Sequence, residues 1–313
     1  MKELPRAFYR NKKNTIDATL FEKALLESVL FVNRVLAPYI ELKLNSESAL
    51  SGGAHTDLQI ASMIARAISG SYDPVSWAKL PDSKADRKQL ALALPQHYLV
   101  DVLQQNWKGS GDSRLFRMVW DTSDDGEKSS ESEPAPSRHY LQRFSAHEFD
   151  GVLGQWFADQ IKLSQRSRAY VTSAAKLFLK YVYTDTLTVK EEKKTTFELD
   201  HIFPVSRLVG PATADTNGWP ISAVSNLALF DWETNREKSK HDLAQYLAKI
   251  PAADRARRRK AIERLVFLKV ESAAIPRDKS GRDQLTREEF VAFLEERFAE
   301  MKLMAMRTLG ISA

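Results

Sequence analysis

Four polar residues in the second half of the chain have types suited to phosphodiester hydrolysis. Asp200 and His201 end the segment FELDH, Asn226 begins NLALF, and Asn235 follows within DWETNREKS. A neutral histidine can take a proton from water. An Asp carboxylate and an Asn amide oxygen can hold a hydrated Mg²⁺ ion, or Mn²⁺, beside a phosphate. The sequence therefore predicts a metal-assisted hydrolytic site with His201 as base and Asp200 and Asn235 as metal ligands.

The elements that must position these residues are two strands and a helix. Residues 196 to 201 alternate polar and apolar side chains, which predicts a half-buried strand, and SNLALF predicts a second one. DWETNREKSKHDLAQYLAKI predicts one helix with Asp231 as its N-cap and Pro251 as its stop. Neighbours on a strand point to opposite faces, so a kink before Pro204 must bring Asp200 and His201 to one phosphate.

The motifs DHIFP and NLALFDWETNREKS resemble those of HNH (ββα-metal) nucleases. They are similar to the HNH domain of RNA-guided CRISPR nucleases. The better overall match is the C-terminal HNH domain of modification-dependent (type IV) restriction and phage-defence nucleases. The resemblance covers residues 195 to 240 strongly. It implies that His201 is the general base, that Asp200 and Asn235 bind the metal, and that Asn226 supports the hairpin or orients the histidine.

Two features depart from the pattern of that family. The interval from His201 to Asn226 is long and contains an inserted GPATADTNGWP loop, and no phosphate-binding GxxxxGK[ST] motif occurs in the chain. A nucleotide-hydrolysing or DNA-sensing domain is not evident before the motif. We therefore expect either the C-terminal portion of a longer protein or a stand-alone effector that relies on a separate sensor subunit.

Basic residues follow the motif and favour a polyanionic partner. The net charge is +5, and setting aside the −5 of residues 121 to 137 leaves +10 elsewhere. Two groups are candidates for phosphate contact, and each is equally well explained as a solvated helix surface. The first is Arg236, Lys238 and Lys240, and the second is Arg257, Arg258 and Arg259.

The chain is predicted to be mainly α (α+β), with a ββα-metal HNH core within a helical C-terminal domain. Residues 1–120 form a helical domain, 121–138 a flexible acidic linker or loop, and 139–313 the nuclease domain with its core at about 195–250. Helical spacing predicts helices at 14–44, 57–69, 83–107 with a break near Pro95, 147–161, 167–183, 253–270 and 286–309. Thr286 and Glu289 have the spacing of a capping box.

Composition narrows the function further. With no cysteine, the chain has no disulfide, thiol nucleophile or zinc ribbon, so a metal would need oxygen or imidazole ligands. No segment has the apolar length of a membrane span and no secretory signal is recognisable, so we expect a cytoplasmic protein without membrane contact. The prediction is a Mg²⁺- or Mn²⁺-dependent endonuclease acting on DNA, including modified phage DNA, in restriction or phage defence. The alternatives are a non-catalytic nucleic-acid-binding subunit on an HNH scaffold and an RNA-directed nuclease.

Overall fold

The computed structural model describes residues 18–40, 55–73, 76–108, 141–162, 171–193, 197–208 and 218–312. These residues are mainly helical and include one sheet of two strands, which confirms the predicted mainly α class. They divide into two compact units, with the boundary between Phe144 and Ser145. No described helix combines the length and the apolar character that crossing a membrane requires. The predicted acidic linker at 121–138 lies outside the described residues.

Among its described residues, the first unit contains three helices, α1 (Ala18–Ile40), α2 (Asp57–Ser69) and α3 (Ser83–Leu103). The predicted bounds of α2 are confirmed. α3 continues through Pro95, where the sequence predicted a break. Leu94, Pro95 and Leu99 are all buried, so packing of this face offsets the backbone hydrogen bond that proline cannot donate.

The end of the first unit is held on α3 by polar contacts. The Phe144 N–H donates to Oε1 of Gln96 over 2.9 Å, and Nε2 of His97 lies 2.6 Å from the Gln142 carbonyl oxygen. These contacts attach Gln142 and Phe144 to the helices of the first unit.

In the described part of the chain, the second unit contains the sheet and seven helices of seven residues or more. Strands β1 (Phe197–His201) and β2 (Leu227–Asp231) are antiparallel, with Phe197 opposite Asp231 and His201 opposite Leu227. The helices are α4 (Ala146–Lys162), α5 (Ser173–Val182), α6 (Thr184–Lys193), α7 (Trp232–Lys238), α8 (Leu243–Lys249), α9 (Ala252–Val266) and α10 (Arg287–Thr308). The chain thus forms a ββα unit from β1, β2 and α7.

Helix ends in this unit correct two predictions and confirm two. The single helix predicted after β2 is two helices, because Ser239 has a φ of 46° and Asp242 caps α8 by accepting from the Gln245 N–H. α9 ends at Val266 rather than residue 270, at a left-handed Phe267. Asp231 caps α7, and the capping box that begins α10 is present.

A buried arginine ties α10 to the rest of the second unit. Arg297 is fully buried and donates to the carbonyl oxygens of Val266 and Ser225, each over 2.8 Å, and to Oη of Tyr183 over 2.9 Å. None of these partners is an acid. The three bonds join α10 to the end of α9, to the residue after α5 and to the short 3₁₀ turn at Val224–Asn226 that leads into β2.

We predict that Arg297→Met lowers the free energy of unfolding by about 3 kcal/mol, because the substitution leaves buried oxygen acceptors without donors. Arg307→Met is the matched control, since Arg307 is exposed on the same helix and its loss should change stability by less than about 0.5 kcal/mol. Urea unfolding followed by circular dichroism measures both variants. Equal stability of the two would contradict the tethering role of Arg297.

Candidate active site

The candidate site lies where β1 faces α7. Side chains two residues apart on a strand share a face, so Glu198 and Asp200 point the same way. Nδ2 of Asn235 donates to Oε2 of Glu198 over 2.6 Å, and Nζ of Lys238 lies 2.9 Å from Oδ2 of Asp200. Two side chains one turn apart on α7 thus bind two carboxylates of β1. Both predicted metal ligands, Asp200 and Asn235, lie in this strip of four side chains.

Lys238 is an internal residue of this site. Its side chain has no exposed surface, and its ammonium group also donates to the carbonyl oxygen of His201 over 3.0 Å. The contact with phosphate that the sequence predicted for Lys238 stays a prediction; in the structure its ammonium is buried against Asp200 and the His201 carbonyl oxygen. A buried ammonium must be paired, and Asp200 with the His201 carbonyl supplies the partners.

His201 is buried at the end of β1, with 8% of its surface exposed. Its Nε2 is enclosed and has no hydrogen-bond partner among the residues that the structure describes. Burial lowers the pKa of the imidazole below its ordinary value; the positive charge of Lys238 lowers it further, and the Asp200 carboxylate opposes the shift. The ring is therefore neutral near pH 7, which is the protonation state that a general base needs.

Asn226 holds the chain that follows β1. It is fully buried; Oδ1 accepts from the Phe203 N–H over 3.0 Å, and Nδ2 donates to the Ile221 carbonyl oxygen over 3.0 Å. Its own carbonyl oxygen accepts from the Ile202 N–H over 2.8 Å. These bonds go to the residues just after His201 and not to the imidazole ring. Of the two roles considered for Asn226, the contacts favour support of the hairpin.

Aromatic packing against α10 fixes the same bend. The ring of Phe203 meets Phe290 and Phe293 edge to face, with centroids 5.5 and 4.7 Å away, and Trp219 stacks on Phe290 at 5.6 Å. Pro204 lies next to Phe203 in sequence and is also buried. The bend after His201 is thus a packed structure with its own hydrogen bonds, and the predicted approach of Asp200 and His201 to one phosphate stays a prediction.

The oxygen donors of the site suit a hydrated divalent ion. Asp200 and Glu198 supply carboxylates on one face of β1, and the amide nitrogen of Asn235 binds Glu198 while its oxygen accepts no hydrogen bond from a described residue. Within the described part of the chain, no three His, Asp or Glu side chains converge to hold a metal by themselves. Mg²⁺ needs only one or two protein oxygens beside water and substrate, so this donor set fits it. Glu198 was not predicted, although its position two residues before Asp200 was the available signal.

The predicted phosphate-binding residues differ in their surroundings. Arg236 and Lys240 are exposed, and the guanidinium of Arg236 lies 4.5 Å from the ring centroid of Trp232. The three arginines of α9 contact carboxylates: Arg257 with Asp254, Arg258 with Glu233, and Arg259 with Glu271. Contact of any of these residues with phosphate stays a prediction, and those of α9 would have to exchange an existing ion pair for it.

Comparisons of this chain with protein-family models, with curated proteins and with solved structures gave no match. A functional assignment therefore depends on the residues of the motif and on the geometry of the ββα unit.

We predict that His201 in the metal-free protein titrates below pH 6.5, and that Lys238→Met moves its pKa upward because a repelling charge is removed. Histidine NMR signals in EDTA measure both, with His201→Gln used to assign the signal. Since the unfolded state binds a proton more readily than buried His201, the free energy of unfolding should fall as the pH drops below about 6.5. An unshifted or raised pKa in wild type would contradict the described environment.

Proposed function

We propose that the ββα unit is the active site of a divalent-metal-dependent endonuclease that hydrolyses DNA phosphodiester bonds. The observation that carries the proposal is the enclosed Nε2 of His201, which has no hydrogen-bond partner among the described residues and belongs to the residue that follows Asp200 of the oxygen-donor strip. A buried nitrogen without a partner costs free energy, so its retention calls for an explanation such as a bound water or substrate. Restriction or phage defence is the biological setting that the sequence resemblance adds to this proposal.

His201, Asn226 and Lys238 have distinct roles in the proposed reaction. His201 accepts a proton from the attacking water at Nε2, and its lowered pKa keeps that nitrogen available near neutral pH. Asn226 fixes the bend after His201 and so limits where the ring can move. Lys238 binds both Asp200 and the His201 carbonyl, which holds the proposed metal ligand and the base at one end of β1.

Asp200 and Asn235, with Glu198 beside them, would hold Mg²⁺ or Mn²⁺. When bound, such an ion offsets negative charge on the phosphoryl and leaving oxygens. The protein contributes the oxygen donors and a partly enclosed surface, since Asp200 has 33% of its side chain exposed and remains open to substrate.

One observation favours the alternative, a non-catalytic nucleic-acid-binding subunit. The ammonium of Lys238 already neutralises Asp200, and a divalent ion would have to share that carboxylate with it. The alternative predicts DNA binding that weakens with salt, without cleavage that EDTA abolishes. The two functions are therefore separable by one cleavage assay.

We predict that His201→Ala lowers the rate of plasmid cleavage in Mg²⁺ by about 10²–10⁴-fold, because the general base is removed. DNA affinity should be nearly unchanged, since the ring contributes no positive charge at neutral pH. The assay is conversion of supercoiled plasmid to nicked or linear forms, with modified phage DNA in parallel.

His147→Ala is the matched control, because His147 is an exposed histidine at the start of α4. It should cleave at the wild-type rate, and EDTA should stop both proteins. Wild-type cleavage by His201→Ala would remove His201 from the mechanism, and salt-sensitive binding without any cleavage would support the non-catalytic alternative.

We predict that Asp200→Ala and Asn235→Ala raise the Mg²⁺ concentration needed for half-maximal cleavage, and that Mn²⁺ restores part of the rate. The physical reason is the loss of an oxygen donor to a weakly held ion, which the higher affinity of Mn²⁺ for such sites partly offsets. Metal titrations of the cleavage rate measure this, with the exposed Asn33→Ala as control. An unchanged metal dependence in both site variants would place the ion elsewhere.

A further inference from the structure

Trp232, the first residue of α7, is an exposed aromatic side chain. It leaves 47% of its surface accessible, whereas Trp77, Trp107 and Trp219 are 7%, 4% and 3% exposed. Large apolar rings are usually buried because exposing them to water costs free energy. This exposure distinguishes Trp232 from these three buried tryptophans.

Arg236 orients this ring. Its guanidinium carbon lies 4.5 Å from the centroid of Trp232, which is the geometry of a cation–π contact. The contact holds two long side chains in one arrangement and covers part of the indole, while the exposed remainder faces solvent. We call Trp232 and Arg236 the Trp–Arg platform.

The platform borders the candidate active site. Trp232 precedes Asn235 by three residues on α7, and side chains at this spacing are neighbours, with Cβ atoms roughly 5–6 Å apart. Asn235 is bound to Glu198 of β1. A strand of nucleic acid with its phosphate at Asp200 and Asn235 would therefore pass within reach of the indole.

The charges around the platform favour a polyanion. Of the two acids of α7, Glu233 is 3.3 Å from the guanidinium of Arg258, whereas Glu237 accepts a hydrogen bond from Oη of Tyr246 over 2.8 Å and keeps its charge. Arg236 and Lys240 are exposed, and no carboxylate among the described residues pairs with either. An exposed aromatic ring beside unneutralised cations is the combination that binds single-stranded nucleic acid, through base stacking and phosphate contact.

We propose that Trp232 stacks on an unpaired base next to the scissile phosphodiester and that Arg236 contacts the adjoining phosphate. This rests on the proposed nuclease function. A base inside an intact duplex has both faces covered by its neighbours, so an aromatic side chain can stack only on a base that is unpaired or displaced. The preferred substrate is consequently DNA with a gap, flap or single-stranded segment rather than intact duplex.

The test measures binding of fluorescently labelled DNA to the full chain carrying His201→Ala, in EDTA so that the DNA stays intact. The probe is a duplex with a short single-stranded gap. Adding Trp232→Ala should weaken binding about tenfold, the loss expected for one stacked base. Trp232→Phe should retain most of the affinity, because a smaller aromatic ring still stacks.

Leu303→Ala is the matched control, since Leu303 is an apolar side chain of α10 with 49% of its surface exposed. It should bind the gapped DNA like the parent. A second probe replaces the gap bases with abasic residues; the parent should then bind about tenfold more weakly, and Trp232→Ala should lose nothing further.

Equal binding of gapped DNA by the parent and Trp232→Ala would overturn the proposal. So would a Trp232→Ala variant that weakens binding of the abasic probe as much as binding of the gapped probe, and so would no measurable binding by the parent. Cleavage in Mg²⁺ by the protein with His201 intact is scored separately. No cleavage together with a base-dependent loss at Trp232 would reject the nuclease and keep the platform. Cleavage without such a loss would reject the platform alone.

Discussion

The buried ammonium of Lys238 is the constraint on which the geometry of the site depends. It has no exposed surface, so its charge is tolerable only while Asp200 and the His201 carbonyl remain bound to it. Those two partners lie at the end of β1, whereas Lys238 lies at the end of α7. Their separation is thereby fixed, and the same closure brings Asn235, one turn earlier on α7, against Glu198. One ion pair therefore sets the position of the proposed ligands and limits the movement of the proposed base.

Two further buried polar residues, Asn226 and Arg297, hold the chain segment that leads into β2. Asn226 binds the backbone of Ile202 and Phe203, and the carbonyl oxygen of its neighbour Ser225 accepts from Arg297 of α10. A shift of the chain before β2 would break the bonds of Asn226 and of Ser225. The buried polar groups left without partners would cost free energy, so this segment is held in place. The bend after His201 is consequently supported by the long C-terminal helix, which lies far from it in sequence.

Local signals in the sequence predicted the helices and strands but not the contacts between distant residues. Alternation and the Asp231 cap predicted β1, β2 and the start of α7, and the capping box predicted the start of α10. The break at Ser239 was missed because its positive φ is unusual for serine and carries no sequence pattern. The roles of Lys238 and Arg297 were also missed, since burial of a long basic side chain depends on acceptors brought together from distant segments. Secondary-structure propensity depends on residues that are neighbours in sequence, whereas the candidate site is defined by contacts between residues that are distant in sequence.

Net charge was the weakest guide to a binding surface. The basic run of α9 gives the sequence its densest positive segment, yet Arg257, Arg258 and Arg259 each contact a carboxylate. Charges in solution are screened over about 10 Å, so a phosphate responds to the cations within that distance that are not already neutralised. On α7 and the turn after it, Arg236 and Lys240 meet this condition, and they are close in sequence to Asn235. These two cations are therefore expected to attract a nucleic acid beside the proposed ligands, whereas on α9 the attraction would come from Lys260 and Arg264, which are exposed and contact no described carboxylate.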